Sequence, residues 1–266
     1  MRTDRRAAQP GAGASAWSGE GFAEPTPRVY DAIMWPAEKL LLRRWRRRLY
    51  GAIVADADGL RHTAVGGTGG TIVGGTIVGG DIGAAGGIGA AAGGISGLGG
   101  AGLRVLEIGA GTGVGFAFYP AGITVSAVEP SVAMAARARE RAGRAAATIA
   151  VVEARVEELP FADGSFDCAI ATLAWCSVAD PLAAFAEVRR VLRPRGRLLL
   201  LEHVHSRWQP ARRLQSLAAP TWRRVAQGCR LDQDTVGLLS AAGFAVQRRR
   251  DHLLGWVVEL QARRAG

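Results

Sequence analysis

The residues whose types and spacing could do chemistry lie in "VLEIGAGTG", residues 105–113. Gly109, Gly111 and Gly113 close a short apolar run, Arg104–Gly109, that reads as a buried strand. Glycine permits positive φ and lets the backbone approach a ligand where a side chain would block it. Glu129 stands twenty residues after Gly109, at the end of a second strand-like run, Ile123–Pro130. Doubly wound nucleotide sites place an acid at that distance, on the ribose hydroxyls. The loop continues as "VGFAFYP", too bulky to open the helix N-terminus that a dinucleotide pyrophosphate needs. Glu107, just before the loop, would repel a pyrophosphate and suits a cation. A sulfonium ligand carrying an amino-acid head group and a ribose fits both acids.

A second set sits further on. Glu202 and His203 end a fifth strand-like run, Arg197–Val204, and are the candidate catalytic residues, assisting or orienting an incoming nucleophile. Strand C-terminal ends are where doubly wound sheets carry their sites. A strand-end histidine making only a local hydrogen bond is the alternative. Glu202, His203 and His205 do not read as a metal set, because adjacent strand residues point to opposite faces. Cys168, Cys176 and Cys229 fit no zinc spacing, so no metal is expected. Cys176 and Cys229 read as small buried hydrophobes. Three cysteines, an odd number, argue for a reducing compartment and a cytoplasmic location.

The elements that must position these groups alternate at βαβ spacing. After the first two strands come a helix over Ser131–Ala146, a strand over Ala147–Ala154 and another over Ser165–Ala174. A helix follows over Pro181–Gly196, then the Arg197–Val204 strand, a helix over Asp232–Phe244 and two strand-like runs in the tail. The expected fold class is α/β, a Rossmann-like doubly wound sheet, mostly parallel and covered on both faces.

The chain has 266 residues, 48% of them apolar, and a formal net charge of +10, which favours anionic partners. Residues 1–27 read as a disordered tail, basic at first and without the apolar core of a signal peptide. Residues 28–52 read as a basic amphipathic helix broken at Pro36. Its arginine-rich side, "RRWRRRL", is either a solvated face or one that caps a pocket or rests on an anionic membrane. Residues 53–102 read as a glycine-rich insertion, expected to be disordered: residues 66–102 hold eighteen of the 37 glycines and one charge, Asp81. Glycine spacings of four residues there leave a packed glycine-zipper helix as a minor alternative.

Together "VLEIGAGTG", "AVEPS", "EELPFADGSFD", "EVRRVLRPRGRLLLLEHV" and "GCRLDQDT" resemble the class I S-adenosylmethionine-dependent methyltransferases. More narrowly, they are similar to the branch of methyltransferase-like thiol methyltransferases and bacterial phospholipid methyltransferase-like proteins. The resemblance covers about Tyr30–Tyr50 and Leu103–Arg264. It implies a seven-stranded sheet with an N-terminal helical cap and an S-adenosylmethionine-binding domain over 103–266. The cofactor it implies is S-adenosyl-L-methionine. Glu107, Gly109, Gly111 and Gly113 would line the methionine portion, Glu129 the ribose, and Pro130 and Ser131 the adenosine. Arg155, Val156 and Glu157 stand where the family often has an acid for the adenine amine, so Val156 backbone and Glu157 are the expected contacts. Thr172 would face cofactor and acceptor. The implied activity is methyl transfer to a small-molecule or lipid acceptor, a thiol or an amine, with peripheral contact to an anionic membrane through the basic helix and no obligate protein partner. The alternatives are a nucleic-acid-directed methyltransferase or binding module, and an inactive homologue that binds cofactor. Few aromatics and "TLAWCSV" after the fourth strand, where amino-methylating nucleic-acid enzymes carry an Asn-Pro-Pro-aromatic signature, make nucleic acid an unlikely partner.

Overall fold

In the computed structural model, residues 26–55, 102–225 and 229–265 are described. The tail over 1–27, but for its last two residues, and the insertion over 53–102, but for its ends, lie outside them.

Seven strands form one sheet in the order β3-β2-β1-β4-β5-β7-β6. They are β1 (Arg104–Ile108), β2 (Thr124–Val128), β3 (Thr148–Val152), β4 (Phe166–Thr172), β5 (Leu192–His203), β6 (Phe244–His252) and β7 (Val257–Arg264). The first five run parallel, and β7 pairs antiparallel with both β5 and β6. The order reverses between β1 and β4, and doubly wound sheets carry their ligand crevice at the C-terminal ends of such strands.

Strand alternation builds two cores. Leu106, Ile108, Ala169, Ala171, Leu198 and Leu200 face one side, under α4 (Pro181–Val191) and α6 (Thr235–Ala241). Val105, Cys168, Ile170, Leu199 and Leu201 face the other, under α2 (Arg43–Ala55) and α3 (Val132–Ala142). A strand with apolar residues on both faces has to be covered twice, and this chain supplies helices for both. Side chains cap the helix starts: Ser131 accepts from the Met134 N–H (3.2 Å), and Asp180 accepts from Leu182 and Ala183 (both 3.1 Å).

Three local expectations are corrected. The N-terminal helix does not break at Pro36. α1 (Pro27–Ala37) runs through a π turn, Glu38–Leu42, into α2. A wider π turn takes up the register that proline, lacking its N–H, cannot keep. The helix expected to reach Gly196 ends at Val191, because Pro194 disfavours helical backbone at the residue before it. Between Val204 and Asp232, where the sequence shows no element, lies α5 (Gln209–Val225). Its interior Pro220 argues against a helix, and its buried stripe of Ala211, Gln215 and Ala219 is small or polar while Leu214 and Leu217 are exposed.

α2 is held to the sheet at both polar ends. Arg48 forms a forked pair with Glu259 of β7 (Nε to Oε2 2.8 Å), and Trp45 stacks on His252 of β6 at 4.3 Å. The buried Arg197 of β5 donates to the carbonyls of Ala52 (2.7 Å) and Ile53, capping the helix C-terminus with charge. Arg197→Met should therefore lower the unfolding free energy by about 2–3 kcal/mol in urea titration, since charge-assisted bonds are lost and carbonyls stay buried. A loss under about 0.5 kcal/mol would show that the cap is dispensable.

Candidate functional site

The crevice is built on the carboxyl ends of β1, β2, β4 and β5. Glu107 lies on β1, buried, its Oε1 accepting from the Tyr50 hydroxyl of α2 at 2.9 Å. Its Oε2 and the Tyr119 hydroxyl are both buried without a well-formed hydrogen bond, near enough for the hydroxyl to favour the ionised acid. Burial pushes its pKa up to about 6, with the Tyr119 and Tyr50 hydroxyls and the Arg46 guanidinium pulling back. A buried acid with one oxygen unmatched is a site for a cationic donor.

Gly109, Gly111 and Gly113 all have positive φ (62°, 56° and 79°), so the loop needs glycine for its backbone alone. A Cβ at Gly109 would collide with Ala174, whereas one at Gly111 would meet nothing within 4 Å. The loop is thus packed on one side and open above. Gly115 was not singled out from sequence. A Cβ there would collide with the Tyr50 hydroxyl and press on Glu107 Oε1, so it permits the contact that holds Glu107.

Glu129 directly follows β2 and grips the loop. Its Oε2 accepts from the Gly111 N–H (2.8 Å) and its Oε1 from the Ser131 N–H (3.0 Å). These bonds orient the acid against the loop. Pro130 is half-buried beside it, and Val156 is buried in the loop after β3. Glu157 is already engaged: it accepts from Arg155 (3.0 Å) and from the Ala179 N–H (3.2 Å). Thr172, at the end of β4, accepts from the buried Arg46 at 2.5 Å.

Sequence reading assigned no site role to Arg46. Of the five arginines in the basic run, Arg43, Arg44 and Arg47 are exposed while Arg46 and Arg48 turn inward. Burial works against the Arg46 charge, but Tyr50, Glu38 and Glu107 outweigh it and raise its pKa. α1 closes over the loop as well. Asp31 accepts from the Thr112 hydroxyl (2.7 Å) and pairs with Arg141 of α3 (2.6 Å). Half-buried Tyr30 is raised above its ordinary pKa by burial, against the Arg46 charge, and lies within electrostatic reach of Cys176 and Glu129.

The two candidate catalytic residues part company. Leu173 adopts positive φ (58°), rare for a leucine, and swings Ala174 over Gly109. Buried Glu202 accepts from the Ala174 N–H at 3.0 Å, holding that turn. Burial raises Glu202 to about 7, against the Trp175 and Ala174 N–H groups. His203 points the other way. Its Nδ1 lies 3.4 Å from Cys229 Sγ and 3.9 Å from Cys176 Sγ, and the two sulfurs are 3.2 Å apart. The hydrogen bond from one thiol to the other holds Cys176 up and pulls Cys229 down, with His203 adding to the latter. Separations of 27 and 26 residues along the chain concealed this meeting.

A methyltransferase-domain family model matches residues 106–200. Ubiquinone/menaquinone biosynthesis C-methyltransferase UbiE of Vibrio cholerae is 30% identical over 183 residues, 60% of this chain and 70% of that protein. The chain belongs to the class I S-adenosylmethionine-dependent methyltransferases. Another relative in this family, human thiol S-methyltransferase TMT1B, is 37% identical over 164 residues, 57% of this chain. The chain spans 64% of the length of that relative. The [4+2]-cyclase SpnF shares the methyltransferase fold, with a TM-score of 0.50 and 22% identity over 62% of this chain and 75% of its own. A Bacillus halodurans crystal structure gives a TM-score of 0.51 at 17% identity, over 62% of this chain and 94% of its own. The family's cofactor, S-adenosylmethionine, fits the residues present: a cation beside the unmatched Glu107 Oε2, above a glycine loop with open space at Gly111.

The buried Glu202 sets a pH dependence. Its carboxyl stays neutral in the fold up to about pH 7, whereas in the unfolded chain it ionises at its ordinary, lower pH. Its share of stability is full below about pH 4.5 and is lost as pH rises through about 7. The gap corresponds to about 3 kcal/mol. Glu202→Gln keeps an acceptor for Ala174, so its melting temperature should gain on the parent as pH rises from 5 to 8. A gap constant with pH, in thermal melts of both proteins, would refute this.

Proposed function

We propose that the protein transfers a methyl group from S-adenosylmethionine to a small-molecule thiol. The observation that carries this reading is the buried, unmatched Glu107 oxygen beside a glycine loop gripped by Glu129. When bound, the cofactor supplies a methyl group made electrophilic by its sulfonium. Glu107 would receive the cationic head group, Gly109, Gly111 and Gly113 the methionine chain, and Glu129 the ribose hydroxyls. Pro130, Ser131 and the Val156 backbone would flank the adenine, with Glu157 holding the neighbouring loop through Ala179. Thr172, fixed by Arg46, would line the space between cofactor and acceptor.

In-line displacement asks chiefly for positioning and exclusion of water. α1 and α2 serve both, through Asp31, Tyr30 and Tyr50. Glu202 is a positioning residue, acting through Ala174, while His203 faces Cys176 and Cys229. A thiol acceptor favours this assignment because a thiol is partly ionised near neutral pH and asks less of a base than a hydroxyl does. The name of the human relative points the same way.

The exposed side of the N-terminal helices supports peripheral contact with an anionic membrane. Trp35 and Leu40 are 57% and 79% exposed, beside Lys39, Arg43, Arg44 and Arg47. No helix among the described residues is long and apolar enough to cross a membrane. The proposed location is cytoplasmic, at the membrane surface.

Calorimetry should show S-adenosylmethionine binding, weakened about ten- to a hundredfold by Glu129→Ala. Absence of binding by the parent would sink the reading. With methyl-labelled cofactor, label should appear on alkyl thiols. Label found only on amines, phospholipid head groups or nucleic acid would overturn the thiol assignment. Sedimentation with phosphatidylglycerol vesicles but not phosphatidylcholine vesicles is expected, and equal recovery with both would remove the membrane contact.

A further inference from the structure

We propose that Cys176, His203 and Cys229 form a three-ligand site for a zinc ion at the carboxyl end of β4 and β5. The two sulfurs and a histidine nitrogen all lie within 4.8 Å of one another. Tetrahedral zinc with bonds of about 2.3 Å to sulfur and about 2.0 Å to nitrogen sets S···S at about 3.8 Å and S···N at about 3.6 Å. The distances here are 3.2 Å between sulfurs, and 3.4 Å and 3.9 Å from sulfur to Nδ1. The thiols need only spread by about half an ångström to admit the ion. A disulfide would require them to close by about 1 Å instead.

The three ligands are held by backbone clamps that do not involve the side chains themselves. The Arg230 N–H, next to Cys229, donates to the carbonyl of Cys176 at 2.9 Å. Buried Gln215 of α5 donates to the carbonyls of Val204, beside His203, and Leu231 at 2.7 Å and 2.6 Å. Gln233 donates to the carbonyl of Trp175, beside Cys176, at 3.2 Å. The strand end, the turn after β4 and the chain after α5 are thereby fixed against one another. Such rigid support is what a metal site requires of its surroundings.

Packing alone is a poor account of the cluster. Among the described residues, the buried apolar members of the cluster beyond the two cysteines reduce to Leu231. The imidazole meets Trp222 edge to face at 6.4 Å on its outer side. Two sulfurs and one imidazole are a donor set that selects zinc over magnesium or calcium. Three protein ligands leave a fourth position for water or another exogenous donor, the pattern of reactive rather than purely structural zinc.

The site is tested on the full-length chain, reduced, stripped of metal and kept anaerobic, with Co2+ as the probe. The parent should take up one equivalent, giving a thiolate-to-cobalt charge-transfer band and the visible bands of tetrahedral cobalt, both bleached by Zn2+. Cys176→Ser and Cys229→Ser should each lose about half of the charge-transfer intensity, and the double variant all of it, because that intensity follows the number of thiolates bound. His203→Asn should weaken binding by at least about tenfold. Cys168→Ala, changed in the sheet interior, should bind as the parent does. Thermal melts of the metal-free variants separate lost ligation from lost folding. A parent without the cobalt bands, bands that survive the double variant, or two thiols lost to a disulfide while no metal binds would each overturn the proposal. The readout uses no S-adenosylmethionine, so its failure and that of the methyl-transfer reading are distinguishable.

Discussion

A carboxylate buried at the end of β1 is the constraint around which the crevice is organised. Glu107 sits in the sheet interior, where an unmatched acid is costly, and burial has already moved its pKa to about 6. Tyr50 satisfies one oxygen, which requires α2 to lie across the sheet at that height. Gly115 has to be glycine for the tyrosine to reach it. The other oxygen lacks a well-formed hydrogen bond, and the nearby Tyr119 hydroxyl and Arg46 offset only part of the cost of its burial. The N-terminal helices are therefore part of the site and not an accessory to it.

The same helices divide their charge between two tasks. Arg46 and Arg48 spend their guanidinium groups inside, on Thr172, Glu38, Glu259 and His252, tying helix to sheet. Arg43, Arg44 and Arg47 remain outside beside exposed Trp35 and Leu40. Asp31 then fastens α1 to both the glycine loop and α3. One continuous helical element, carried past Pro36 by a π turn, links the outer basic surface with the Thr112 hydroxyl of the loop.

Across the crevice the structure keeps a strained turn. Leu173 holds a left-handed conformation because Ala174 is fastened from both sides, by Glu202 and by the Gly109 contact. Strain of this kind persists only where the surroundings over-determine it. The neighbouring residue on β5, His203, faces the opposite way and meets two thiols from separate segments. One pair of adjacent strand residues thus serves two different environments, as the two-residue period of a strand requires.

How much of this was legible depended on how local its cause was. The glycine loop, Glu107 and Glu129 could be read directly, because positive-φ turns and strand-end acids leave their mark within about twenty residues. The alternation of strands and helices was legible for the same reason, and the sheet order follows it. Arg46 could not be told from its exposed neighbours, since a run of five arginines has no internal signal for which will be buried. α5 was hidden by Pro220 and by a buried stripe, Ala211, Gln215 and Ala219, made of small and polar residues. Glu202 and His203 were found as a pair, but their division into a backbone anchor and a partner of Cys176 and Cys229 was not. The sequence by itself determined the β-α alternation and the positive-φ glycine loop after β1, which rest on local backbone preference and short spacing. Only the tertiary structure decided which charges are buried and which sulfurs meet, because those contacts join residues dozens to hundreds of positions apart and depend on how the sheet twists them together.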